Sequence, residues 1–203
     1  MAFVYQPASG LALAARWALW ADALAAAAAV ILSLTMGADA LLWGDFARLF
    51  SLVSFLTWLG SLSLFLIWFY RANANARAMG ADDLMGSPGL AVGWFFIPIA
   101  WFFMPYLMVR DTWKASEAPR DWQGRSAAPL VGFWWAAMLV ANIFATVAFR
   151  IALEDDYSSI GAVGVLKLIS NLGSVAAGLL GAQVVAGIER RQINPAHLSD
   201  TFR

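Results

Sequence analysis

The chain has no cysteine and a single histidine, His197. Without thiols it can form no disulfide, zinc–thiolate site, iron–sulfur cluster or thiol nucleophile. One histidine in a polar tail also removes any paired-histidine haem site. Charge is scarce as well: 13% of the 203 residues are charged, against roughly a quarter in a soluble domain. Thirteen Lys and Arg balance thirteen Asp and Glu, which gives nucleic acid no electrostatic handle. Catalytic patterns are missing too: no His-Glu-x-x-His, no Gly-x-Ser-x-Gly, no phosphate-cradling glycine loop, and no Ser/His pair in an apolar run. These absences predict a protein that is not an enzyme and holds neither cofactor nor metal.

What the chain has instead is apolar length. Hydrophobic residues make up 62% of it, in five runs at residues 11–36, 46–70, 90–109, 129–149 and 160–188. Runs of about 20 residues suit helices that cross a bilayer. We therefore expect an all-α, polytopic integral membrane bundle, one domain over residues 1–203 with a polar tail at 189–203. The first run carries Arg16 and Asp22, with no Lys or Arg before them. Lacking the basic start of a signal peptide, it reads as a retained span. Residues 71–89, with Asn73, Asn75, two arginines, an Asp pair and a Gly-Ser-Pro-Gly turn, read as a loop holding one helical turn.

The third run contains Pro98 and Pro105, seven apart and so on one face of any continuous helix, each removing a backbone hydrogen bond. Basic residues favour the side on which loops stay cytoplasmic. If all five runs cross, eight Lys and Arg fall on one side and four on the other. If the third does not cross, Arg16, Arg71, Arg77, Arg110, Lys114, Arg120, Arg125, Arg190, Arg191 and Arg203 share a side, leaving only Arg48 and Arg150 opposite. The stronger asymmetry predicts four transmembrane helices plus a proline-containing re-entrant or interfacial segment, with both termini cytoplasmic. Five transmembrane helices is the alternative.

Polar residues inside the runs are the functional candidates. Asn142 and Asn171 fall near the middle of their runs, with Thr146 one turn from the first and Lys167 one turn from the second. They could line a polar path. More simply, the asparagines join helices and Lys167 snorkels to an interface. Asp22 and Lys167 lie toward opposite leaflets and are not expected to pair. Ser54, Thr57 and Ser61 form a small polar stripe in the second run. Gly173, Ala177 and Gly181, with Ser170, Ser174 and Gly178 beside them, have the spacing that lets helix backbones approach closely. The 11 tryptophans, among them Trp17, Trp20, Trp43, Trp68, Trp94, Trp113 and Trp122, cluster toward run ends and suggest an aromatic belt at the headgroups.

From Trp68 onward the sequence resembles a bacterial membrane family catalogued as domain of unknown function 4328. The stretches that carry the likeness begin at Trp68-Phe-Tyr-Arg-Ala-Asn-Ala-Asn75, Ser87-Pro-Gly-Leu and Pro105-Tyr-Leu-Met-Val-Arg-Asp-Thr-Trp-Lys-Ala-Ser116, and end with Phe133-Trp-Trp135. Its most specific part is the proline pair followed by Arg-Asp-x-Trp-x-Ala-Ser. The family pattern tends to asparagine where this chain has Trp101. The resemblance implies a multi-pass protein of the bacterial inner membrane with a cytoplasmic C-terminus, and no activity. Helix packing is then the evident capability. We expect an accessory or scaffold subunit in the lipid bilayer that packs against another membrane protein or as a homo-oligomer. The alternative is a small channel or transporter through Asn142, Thr146, Lys167 and Asn171.

Overall fold

The computed structural model describes residues 3–36, 44–126, 128–153 and 160–193. Trp43, the acidic loop at 154–156, His197 and the tail beyond Ile193 lie outside the described residues. Four long helices carry the fold: α1 (Ser9–Met36), α2 (Gly44–Ala78), α5 (Pro129–Ala152) and α6 (Ile160–Ile193), with short α3 (Pro88–Gly93) and α4 (Met104–Glu117) between α2 and α5. The four long helices are apolar and long enough to cross a membrane. At 1.5 Å per residue even α5 is about 36 Å long, more than the roughly 30 Å hydrocarbon core.

The third apolar run enters and returns at the same end of the bundle. Ser87 caps α3, its Oγ accepting the Leu90 N–H at 3.1 Å, and Pro88 takes the first turn, where no amide donor is required. The helix is spent within two turns. Pro98 then supplies no N–H, and Ile99 sits at φ 67°, a left-handed conformation that a β-branched residue adopts only under strain. A 3-10 turn at Ala100–Phe102 follows, and Pro105 opens α4 from its first turn. The two prolines therefore do not share a helix face: one lies in the break and the other starts the next helix. The Phe102 carbonyl in the break accepts from Trp135 Nε1 at 2.9 Å, so protein covers a backbone group that lipid could not satisfy. Ile99, 76% exposed, stands at the tip with Phe96 and Phe103.

The long helices pack in a row, α2 on α1, α1 on α6 and α6 on α5. Each neighbour is antiparallel, since Gln6 meets Asn75, Tyr5 meets Gln192, and Gly173 meets Ala141 while Gly181 meets Trp134. The row curls, so that α2 and α5 face one another with a gap between them. At the end holding the start of α1 and the finish of α6, the broken segment fills that gap, with α4 against α2, α5 and α6. We call this the capped end. The hydrophobic core concentrates there, around Trp68, Phe69, Val109, Trp113, Val131, Trp134 and Ile188.

Three expectations are corrected. Residues 71–78 are not loop but the last two turns of α2, and Glu189 to Ile193 are not tail but the end of α6. Trp68 and Trp113 are buried in the core rather than belted around it. In each case the residues face protein at the capped end: Asn73, Asn75 and Gln192 find partners on other parts of the chain, and the two indoles pack in the core.

Candidate functional site

Two arrangements of polar residues stand out. The first is a buried layer across the capped end. Asn73 on α2 donates through Nδ2 to Thr112 Oγ1 on α4 at 2.9 Å, and its Oδ1 accepts from Arg77 Nε at 3.2 Å. Ser116 Oγ donates to the Thr112 carbonyl at 2.7 Å. Gln192 on α6 donates to the Ala72 carbonyl at 2.8 Å and to Ser116 Oγ at 2.9 Å. Asn75 makes a two-way pair with the backbone of Gln6, at 3.0 and 2.8 Å. The Tyr5 hydroxyl donates to the Gln192 carbonyl at 3.2 Å. Burial, then the nearby Glu189 carboxylate, raise the Tyr5 phenol above its usual pKa, which keeps it a donor. The Arg191 guanidinium lies 4.1 Å from the Trp113 ring centroid and 3.4 Å from Glu117. Trp113 fits against α6 because residue 187 is glycine: a Cβ there would fall 2.3 Å from the indole. Together these bonds tie the start of the chain to α2, α4 and α6.

The second arrangement is a cleft of about 360 Å³ between α2 and α5 in the membrane half, floored by α1 and α6. Asp22, Ser54, Ser61, Asn142, Ser170 and Ser174 are its polar lining. Asp22 lies 13 residues after Ser9 and 14 before Met36, about 20 Å from either end of α1. It makes no hydrogen bond or ion pair with any described residue. Aromatic faces close the walls: Phe55 stacks on Trp58 with centroids 6.0 Å apart, and Phe65 lies 6.0 Å from Phe95 and 5.5 Å from Trp134.

The candidates from the sequence do not come together as one path. Asn142 lines the cleft, although its Nδ2 donates within its own helix to the Met138 carbonyl at 2.8 Å. Thr146 is exposed and bonds to the Asn142 carbonyl. Lys167 is exposed, Asn171 is half-buried, and neither lines the cleft. The bond that does join α6 to α5 at this depth comes from Ser170, whose Oγ donates to the Ala141 carbonyl at 2.8 Å. Gly173, Ala177 and Gly181 face inward. A Cβ on Gly173 would lie 2.9 Å from the Ala141 amide nitrogen, one on Gly181 would lie 2.9 Å from Trp134 Nε1, and one on Gly178 would lie 2.7 Å from the Leu19 carbonyl oxygen. Pro98 and Pro105 flank the tip of the broken segment. Among the described residues, no three His, Asp or Glu side chains gather as a metal site.

The residues that sequence reasoning passed over are Asp22, as part of a site, and Thr112, Ser116 and Gln192. Asp22 was visible as a carboxylate inside an apolar run. What hid its setting is that its cleft is assembled from four helices far apart in the chain.

The sequence profile described as Domain of unknown function (DUF4328) matches residues 38–190, about three quarters of the chain. The chain belongs to that family. In this DUF4328 protein the matched stretch holds α2, the broken segment, α5 and nearly all of α6. It leaves out α1, so Asp22 and the Gln6 contact to Asn75 lie beyond it. No curated protein and no solved structure matches the chain.

Proposed function

We propose that this multi-pass membrane protein is a non-enzymatic accessory subunit, a rigid unit that packs against a larger membrane complex or a second copy of itself. The observation that carries this reading is the buried polar layer. Its side chains are engaged in fixing helices to one another, and a surface fixed before association loses little freedom when a partner arrives. Arg110, Lys114, Arg120, Arg125 and Arg190 lie at that end, interspersed with Asp82, Asp83, Glu117 and Asp121. The positive-inside rule, which counts Lys and Arg and gives little weight to acidic residues, favours the cytoplasm for this end, with the protein in the bacterial inner membrane. The channel alternative is weaker, since Thr146, Lys167 and Asn171 do not line the cleft with Asn142.

The test is affinity purification of the tagged chain from its native membrane in mild detergent, followed by mass measurement. A second subunit, or a second copy, at fixed stoichiometry supports the reading. A monodisperse monomer that conducts ions when placed in liposomes would overturn it in favour of a channel.

A further inference from the structure

Asp22 is an uncommon group to find where it is. At about 20 Å from either end of α1, a side chain with one methylene cannot carry its carboxyl to water by snorkelling. An ionised group at that depth is costly unless something pairs with it, and such residues mark binding or transport sites. Asp22 has no hydrogen-bond or ion-pair partner among the described residues, and among them it is the only ionisable residue lining the cleft. Arg16, six residues and about 9 Å back along α1, holds its guanidinium 5.2 Å from the Trp20 ring centroid and does not line the cleft. The exposed Lys167 lies ten residues along α6 from Ala177, about 15 Å toward the far end.

The surroundings define what would pair with it. Phe55, Trp58, Phe65, Phe95 and Trp134 line the same space, and aromatic faces attract cations, most strongly when water is excluded. The lining carries a single negative charge, that of Asp22, beside neutral serine and asparagine side chains, which balances a monocation and leaves half the charge of a magnesium or calcium ion uncompensated. At about 360 Å³ the cleft falls within the range of small-molecule sites, roughly 300–1,000 Å³. It also opens sideways between α2 and α5, the direction from which a bilayer-dissolved molecule would come.

We propose that this cleft binds a membrane-soluble organic monocation, with the Asp22 carboxylate as counter-ion and the surrounding aromatic faces as the cage. Binding excludes the proton from the same carboxylate, so the cation and the proton compete for one site.

The test uses the full chain in lipid nanodiscs with tetraphenylphosphonium as the probe. Saturable binding is expected, strengthening as pH rises. Asp22→Asn keeps the shape of the side chain and should weaken binding at least tenfold, with a melting temperature equal to or above that of the parent. Trp58→Ala, which removes one wall of the cage and leaves the carboxylate in place, should weaken it as well. Neutral triphenylphosphine oxide should displace little. Absence of saturable binding to the parent protein would overturn the proposal. So would equal binding by Asp22→Asn, or equal displacement by the neutral compound, which would mark a general hydrophobic cleft.

Discussion

The two halves of the bundle are built from helices of the same kind yet hold together by different means. At the capped end, α2 buries Ser61, Phe65, Leu66, Trp68, Phe69, Ala72, Asn73, Asn75 and Ala76, and the broken segment wedges α4 against three long helices. In the other half, none of the α2 residues before Ser61 is buried, and α2 and α5 stand apart around the cleft. The difference comes from what each half can exclude. Near the capped end Asn73, Asn75, Thr112 and Ser116 have polar partners, so burial there satisfies hydrogen bonds and removes apolar surface together. Deeper along the bundle the surfaces are apolar and lipid is as good a neighbour as protein. There helices stay together only where small residues bring backbones into contact, as α6 does against α5 and α1. Between α2 and α5 no such contact forms, and Asp22 is left facing open space.

The sharpest way to break this comparison is to invert the broken segment. Single cysteines at Ser87 and Arg120, both exposed and on its two flanks, should react with a membrane-impermeant thiol reagent from the same side. One at Arg48 should react only from the other. Opposite labelling of Ser87→Cys and Arg120→Cys would mean that residues 90–109 cross the membrane, and the capped end as described would not exist.

Large losses of stability are expected where backbones touch. Gly178→Leu must displace the Leu19 carbonyl and Ala23, at a cost of about 3 kcal/mol or more. Thermal melting of the detergent-solubilised variant should show a severe drop. An unchanged profile would mean that α1 and α6 are not in close contact. The polar layer should yield a smaller effect: Gln192→Leu strips the Ala72 carbonyl and Ser116 of a buried donor, costing about 1–3 kcal/mol. A variant as stable as the parent would show that the layer does not hold the capped end together.

The open half should be tolerant. Ser51→Leu, exposed on the open half of α2, should shift stability by about 0.5 kcal/mol or less, and a large destabilisation would mean that this part of α2 is covered by protein. Lys167→Met should have the smallest effect of all, leaving abundance and melting unchanged, because the side chain is already exposed. Loss of assembly in that variant would point to a pairing that the structure does not contain.

Sequence alone determined the class and the outline: four long apolar helices separated by a broken third run, and membership of a family whose pattern runs through that run. These follow from local quantities, namely apolar length, proline positions and the side on which basic residues fall, and each can be counted along the chain. It also marked the close-packing residues of α6, because small-residue spacing is a property of one helix. Only the tertiary structure decided what surrounds them. It made Asn73 and Asn75 a buried layer instead of a loop, because their partners Thr112 and Gln6 come from other parts of the chain. It set Trp68 and Trp113 in the core, separated Asn142 from Thr146, Lys167 and Asn171 as cleft lining, and drew Asp22 to the middle of a cleft built from α1, α2, α5 and α6. Whether a polar residue in an apolar run faces lipid, a neighbouring helix or a cavity depends on how the helices are rotated against each other. That rotation is fixed by contacts between residues more than a hundred positions apart, as between Gln192 and Ala72, which no local pattern records.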